Sequence, residues 1–165
     1  MTIHDLAVRS LCAIDPGEAN CGWAVLEKSQ GGYCTTGTGV ENPDDMVAIL
    51  DDMLASGIHQ VYVVEDYRNY PGTGNWGANH TSQLIGVMKN RFLAAAVPFT
   101  MQMPSIKKPA AGLMRAKGAM TVRPADQPHR YVHAYDAQRH GWYWVFKHGS
   151  GPLGPTIYIP CRGQV

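Results

Sequence analysis

Two apolar runs in this chain end on carboxylates. Leu11-Cys12-Ala13-Ile14 leads into Asp15-Pro16-Gly17, and Val61-Tyr62-Val63-Val64 leads into Glu65. Short apolar runs bounded by turn residues read as strands covered on both faces. An acid at the carboxyl end of such a strand faces the crevice where open α/β sheets bind ligands. If the two strands are neighbours, their carboxylates converge and repel each other unless a cation joins them. On that condition the sheet brings two acids to one end.

The flanking segments say what kind of sheet this is. Residues 21–28 and 33–40 read as a second and a third strand, and the short turns between them imply an antiparallel meander. Asn42-Pro43-Asp44 starts a helix, with Asp44 and Asp45 at its positive dipole end, and Gly57 stops it. Residues 60–65 follow as a short strand, so a crossover makes the sheet mixed. Residues 66–80, rich in Gly, Asn and aromatics, read as a loop or lid. A helix is expected over 81–96, a fifth strand over 98–103, a loop leading into a helix over 104–117, a linker over 121–129 and a last helix over 130–147. The Gly/Pro-rich tail, 149–165, matches no element.

The 165 residues suit one domain, 1–165, with a core at about 8–147. No apolar run is long enough to span a membrane, and the N-terminal residues lack the basic-then-apolar order of a signal peptide. A soluble protein of the cytoplasm is expected. Cys12, Cys21, Cys34 and Cys161 form no Cys-x-x-Cys pair, which argues against structural zinc. The three in the first strands read as small buried thiols rather than a disulfide framework.

The net charge of +1 conceals a division. Residues 1–66 hold 11 of the 13 acids, with only Arg9 and Lys28 as bases, a net −9. Residues 67–165 hold 12 bases and only Asp126 and Asp136 as acids, a net +10. Bases interleaved with aromatics suggest a face for a polyanion, unless folding mixes the two halves. His133 and Asp136, three residues apart, share one face of the last helix, and His140 lies further along that face. Taken singly, Asp15 is a turn former, Glu65 a strand end, and His133 with Asp136 a solvated helix face. Together they make a donor set for a divalent cation.

The segments AIDPGEANCGWAVLE, VVEDY, PSIKKPAAG and HAYDAQRHGWYW, in this order and at these separations, resemble the motifs of RuvC-like Holliday-junction resolvases, within the ribonuclease H-like superfamily. The resemblance covers about residues 10–147, and the aromatic loop and the Asp-Ala-x-Arg-His ending are most similar to phage versions. It implies an α/β fold, a five-stranded mixed sheet flanked by helices. It also implies a homodimer that cuts Holliday junctions and other branched DNA. Matched to the family, Asp15, Glu65, His133 and Asp136 fall on the catalytic metal-binding positions, for two ions of Mg²⁺ or Mn²⁺. The imidazole of His133 removes one negative charge and suits Mn²⁺ better than Mg²⁺.

The implied chemistry is phosphodiester hydrolysis by two ions about 3.5–4 Å apart, leaving 5′-phosphate and 3′-hydroxyl ends. Lys107 matches the family's basic position, and Lys117 matches a second one with a one-residue offset. Lys108 and Arg115 lie near them, and these four would contact phosphates without reading sequence. Arg68 lies in the loop after Glu65, and an aromatic of that loop, Tyr67 or Tyr70, would stack at the junction centre. Residues 81–96 would present Leu84, Val87, Met88 and Phe92 either to a partner subunit or to the core. Other functions stay open: a non-catalytic branched-DNA-binding module, or a ribonuclease H-like enzyme acting on RNA. Actin-like ATPases open with a similar strand but need two such domains, for which 165 residues are too few.

Overall fold

The strand β1 (Ser10–Asp15) is buried at every residue. Such a strand needs partners on both edges and cover on both faces. β2 (Cys21–Ser29) pairs with it antiparallel, and β3 (Gly32–Glu41) pairs antiparallel with β2. On the other edge of β1 lies β4 (Val61–Glu65), parallel to it, and beyond that β5 (Phe99–Gln102), parallel to β4. The sheet order is β3-β2-β1-β4-β5, a five-stranded mixed sheet. The computed structural model describes residues 8–30, 32–67, 77–124 and 131–148.

Helix α1 (Pro43–Ser56) makes the crossover between β3 and β4 and has the ends its sequence specifies. The Asn42 side chain accepts a hydrogen bond from Asp45 N at 3.0 Å, Pro43 opens the first turn, and Gly57 closes the helix at φ 62°. α1 and α2 (Gly77–Ala94) cover one face of the sheet. There Cys12, Ile14, Tyr62 and Val64 pack against Met46, Leu50, Met88 and Phe92. α3 (Lys107–Lys117) and α4 (Tyr131–His148) cover the other, packing Met114, Trp142 and Val145 on Leu11, Ala13, Val61 and Val63. A 3-10 turn, Pro104–Ile106, leads from β5 into α3.

Two expectations change and one open choice is decided. α2 begins at Gly77 rather than near Thr81, so residues 77–80 belong to the helix and not to the loop. Leu84, Met88 and Phe92 go to the core beneath α2, and of the four side chains named for it Val87 is the exposed one. The sheet face beneath α2 is apolar and needs that cover, which decides the matter. Cys12 and Cys21 are buried free thiols, whereas Cys34, half-buried on the edge strand β3, is disulfide-bonded.

Candidate metal centre

Strand alternation decides where the acids go. Leu11 and Ala13 face α4, so Asp15 faces it too; Val61 and Val63 do the same for Glu65. Both carboxylates therefore end their strands on the α3/α4 side, one at the end of each neighbouring parallel strand. α4 crosses above them. It comes this close because residue 22 is glycine: a β-carbon there would stand 2.0 Å from the His133 carbonyl oxygen. Gly141, two turns along, lets the same helix lie against Leu26 and Ala13.

The first turns of α4 then deliver their polar face. His133 Nδ1 lies 2.6 Å from Asp15 Oδ2. Asp136 Oδ2 lies 2.9 Å from the ammonium of Lys107, the first residue of α3. That ammonium also lies 2.6 Å from Glu65 Oε2 and 3.2 Å from Asp15 Oδ1. Three carboxylates from β1, β4 and α4 thus converge on a single cation. Arg139 Nη1 closes on the far oxygen of Asp136 at 2.6 Å. Exposure rises outward, from 4% and 6% of the side chain at Asp15 and Glu65 to 25% at Lys107 and 38% at His133. The centre is a cleft with a buried acidic floor and a basic rim.

Electrostatics separates the two floor acids. Burial pushes the Asp15 carboxyl up to about 6, against the His133 contact, and the adjacent Glu65 adds to the rise. Burial acts the same way on Glu65, but the hydrogen bonds from His140, Asp15 and Lys107 outweigh it and bring that carboxyl down to about 2. The two titrate as one pair, with Asp15 shifted up and Glu65 shifted down. Lys107 is held charged: burial disfavours its ammonium, and the surrounding carboxylates more than reverse this. The hydrogen bond to Asp15 raises His133 against the effect of its own burial.

The four residues predicted from sequence come together in this one cleft. A fifth residue lies with them: a ring nitrogen of His140 and carboxylate oxygens of Asp15 and Glu65 are all within 4.8 Å of one another. His140 is fully buried, with Nε2 at 2.8 Å from Glu65 Oε2 and Nδ1 at 2.9 Å from Gln102 Oε1. Its signal in the sequence was its place on the His133–Asp136 helix face; Gln102 had none beyond ending a strand next to Glu65. Carboxylates with one or two imidazoles are a donor set for Mg²⁺ or Mn²⁺. Their convergence on an ammonium shows that the position attracts positive charge. Of the residues expected to hold DNA, Lys107 lies inside the cleft, while Lys108, Arg115 and Lys117 are exposed on α3. Tyr67 is half-buried two residues beyond Glu65. Arg68 and Tyr70 lie outside the described residues.

With this geometry the structure matches Thermus thermophilus RuvC in complex with a Holliday junction substrate. The TM-score is 0.65 at 19% identity, covering 84% of this chain and 94% of that one. The chain has the RuvC fold. Yeast mitochondrial Holliday junction resolvase Ydc2 shares it, with a TM-score of 0.62, 13% identity and 89% and 83% coverage. So does fowlpox virus resolvase in complex with substrate Holliday junction DNA, with a TM-score of 0.57, 12% identity and 84% and 97% coverage. No family model and no curated relative matches the sequence. The likeness to RuvC is one of fold.

Proposed function

We propose that this chain is a divalent-metal-dependent endonuclease that cleaves Holliday junctions and other branched DNA. One observation carries the reading: carboxylates from two neighbouring strand ends and one helix meet at a single cation position, in a cleft with a basic rim. Asp15, Glu65 and Asp136 would hold Mg²⁺ or Mn²⁺, with His133 at the rim. Divalent ions in such a set lower the pKa of an attacking water and stabilise the leaving oxygen of a phosphodiester.

The chain's own residues do the remainder. The buried floor keeps bulk water from Asp15 and Glu65, which strengthens every charge interaction there. His133 Nδ1 orients the Asp15 carboxylate through Oδ2. The exposed Lys108, Arg115 and Lys117 offer α3 to phosphates, a contact that positions a duplex without reading its sequence. Residues 1–165 would act as one nuclease domain, in a homodimer that presents two such clefts to the two strands to be cut. That the resolvases of RuvC fold include two solved with junction DNA supports branched DNA as the substrate. Among the described residues no helix is long and apolar enough to cross a membrane.

A second reading follows from the same ammonium. Buried carboxylates are costly without a counter-charge, and Lys107 supplies one, so a metal-free, non-catalytic branched-DNA-binding module is also consistent with the cleft. Incubation of a four-way junction with Mg²⁺ or Mn²⁺ separates the two. Cutting by the wild type and none by Glu65→Gln supports the nuclease. Tight binding without cutting under either ion, or equal cutting by both proteins, overturns it.

A further inference from the structure

Glu65 is held from behind by a chain of two buried side chains. His140 sits one turn beyond Asp136 on α4 with no exposed surface. Its Nε2 meets Glu65 Oε2 at 2.8 Å. Its Nδ1 meets the Gln102 side-chain amide at 2.9 Å. Gln102 ends β5 as Glu65 ends β4, and the two are register partners. The ring is therefore gripped between neighbouring strand ends and cannot turn without breaking one contact. A carboxylate only accepts hydrogen bonds, so the proton between Glu65 and His140 belongs to Nε2.

Oε2 of Glu65 is thus shared by His140 and Lys107. The bond from His140 anchors that oxygen from the buried side, whichever cation occupies the cleft. An aliphatic side chain would fill the same space beneath α4 without requiring a buried partner. The polar ring instead ties Glu65 to Gln102.

We infer that His140, braced by Gln102, is a positioning residue that sets the Glu65 carboxylate for a divalent cation, acting through Glu65 rather than on the substrate. This rests on the metal reading above. Groups that hydrogen-bond to metal-ligating carboxylates change metal affinity by about 10–100-fold when removed.

Calorimetric titration of the full chain with Mn²⁺, without DNA, tests the inference. The proteins are wild type, Glu65→Gln, His140→Leu, His140→Gln and Gln102→Met, each shown by thermal unfolding in EDTA to be folded. The wild type should bind and Glu65→Gln should not. His140→Leu fills the space but loses the donor, and should bind about 10–100-fold more weakly. His140→Gln retains an N–H at the position of Nε2 and should recover most of that loss. Gln102→Met, which leaves Glu65 untouched, should weaken binding less than His140→Leu. A space-filling role would not distinguish leucine from glutamine in this way. Wild-type affinity in both His140→Leu and Gln102→Met, while Glu65→Gln abolishes binding, overturns the inference and spares the metal reading. Absence of Mn²⁺ binding by the wild type overturns both.

Discussion

The two ends of β1 and its neighbour bury polar groups in opposite ways. At the amino end Ser10 Oγ lies 2.8 Å from His59 Nδ1, and Gln60 N donates to the Ser10 carbonyl at 3.0 Å. Burial lowers the His59 imidazole, so it stays neutral and a neutral pair closes that end. At the carboxyl end, about 17–20 Å away for a strand of this length, three carboxylates share one ammonium. A neutral pair satisfies itself. A surplus of acids in a dry cleft is strained until more positive charge arrives. The difference marks which end is structure and which end is site.

The largest effects should come from breaking the acidic end. Asp15→Asn should reduce junction cleavage by more than the about 10–100-fold typical of outer-shell partners. The same variant should be more stable than wild type at pH 8 in EDTA. The folded Asp15 pKa is raised, from 3.8 to about 6, so the stability it contributes is present below 3.8 and lost as pH rises through 6. Asparagine removes that loss, a gain on the order of 1–3 kcal/mol, and the gain should disappear as pH falls from 6 to 4. Melting curves of both proteins across that window provide the check; a variant less stable at pH 8 would mean the cleft is not strained. Glu65 has the opposite sign, since its stability is present above 4.5 and lost toward 2.

Geometry should matter almost as much as charge. Gly22→Ala puts a β-carbon 2.0 Å from the His133 carbonyl oxygen, so the start of α4 must retreat. A misplacement of about 1 Å costs on the order of 10²-fold in rate, and overpacking costs about 1–3 kcal/mol in stability. Cleavage rates and melting temperature read these directly. Unchanged cleavage would show that α4 need not approach so closely.

How far the sequence revealed this site depended on how local each signal was. Asp15 and Glu65 were legible because apolar runs and turn residues mark strand ends within a few positions. Asn42 and Gly57 marked α1 for the same reason. Two short turns marked the β1-β2-β3 meander and α1 marked a crossover to β4, whereas the single five-stranded sheet came from the resemblance. His140 was visible on its helix face but not as a partner of Glu65, 75 residues earlier. Lys107 was read as a phosphate contact, because nothing local shows that Asp15, 92 residues away, lies beside it. The early start of α2 carries neither a capping residue nor an apolar period. Which side of α2 is core depends on the sheet beneath it, and that is a tertiary fact.

The ammonium of Lys107 and a divalent ion compete for the same three carboxylates. Lys107→Met should therefore tighten Mn²⁺ binding by about tenfold, as expected for removing a competing charge a few ångströms away in a partly buried site. Lys108→Met is the control: it is the next residue but exposed, so solvent screens it and its effect should be smaller. Calorimetry on both variants measures the difference. If the two shift affinity equally, Lys107 is only one basic residue among several and does not hold the cation position.

The smallest effect tests the other end. Ser10→Ala removes one neutral hydrogen bond and leaves His59 Nδ1 without that partner. The expected loss is about 1 kcal/mol, seen as a lower melting temperature. Because burial keeps His59 neutral, no charge is exposed or created, and that loss should not depend on pH above the ordinary imidazole range. Below that range both proteins lose stability alike, because a lowered imidazole favours unfolding in acid, and the difference between them should persist. Mn²⁺ affinity and junction cleavage should match wild type, since nothing at the amino end touches Asp15, Glu65 or Asp136. A change in metal affinity would mean that β1 transmits strain along its length, and the division into a structural end and a functional end would then have to be given up.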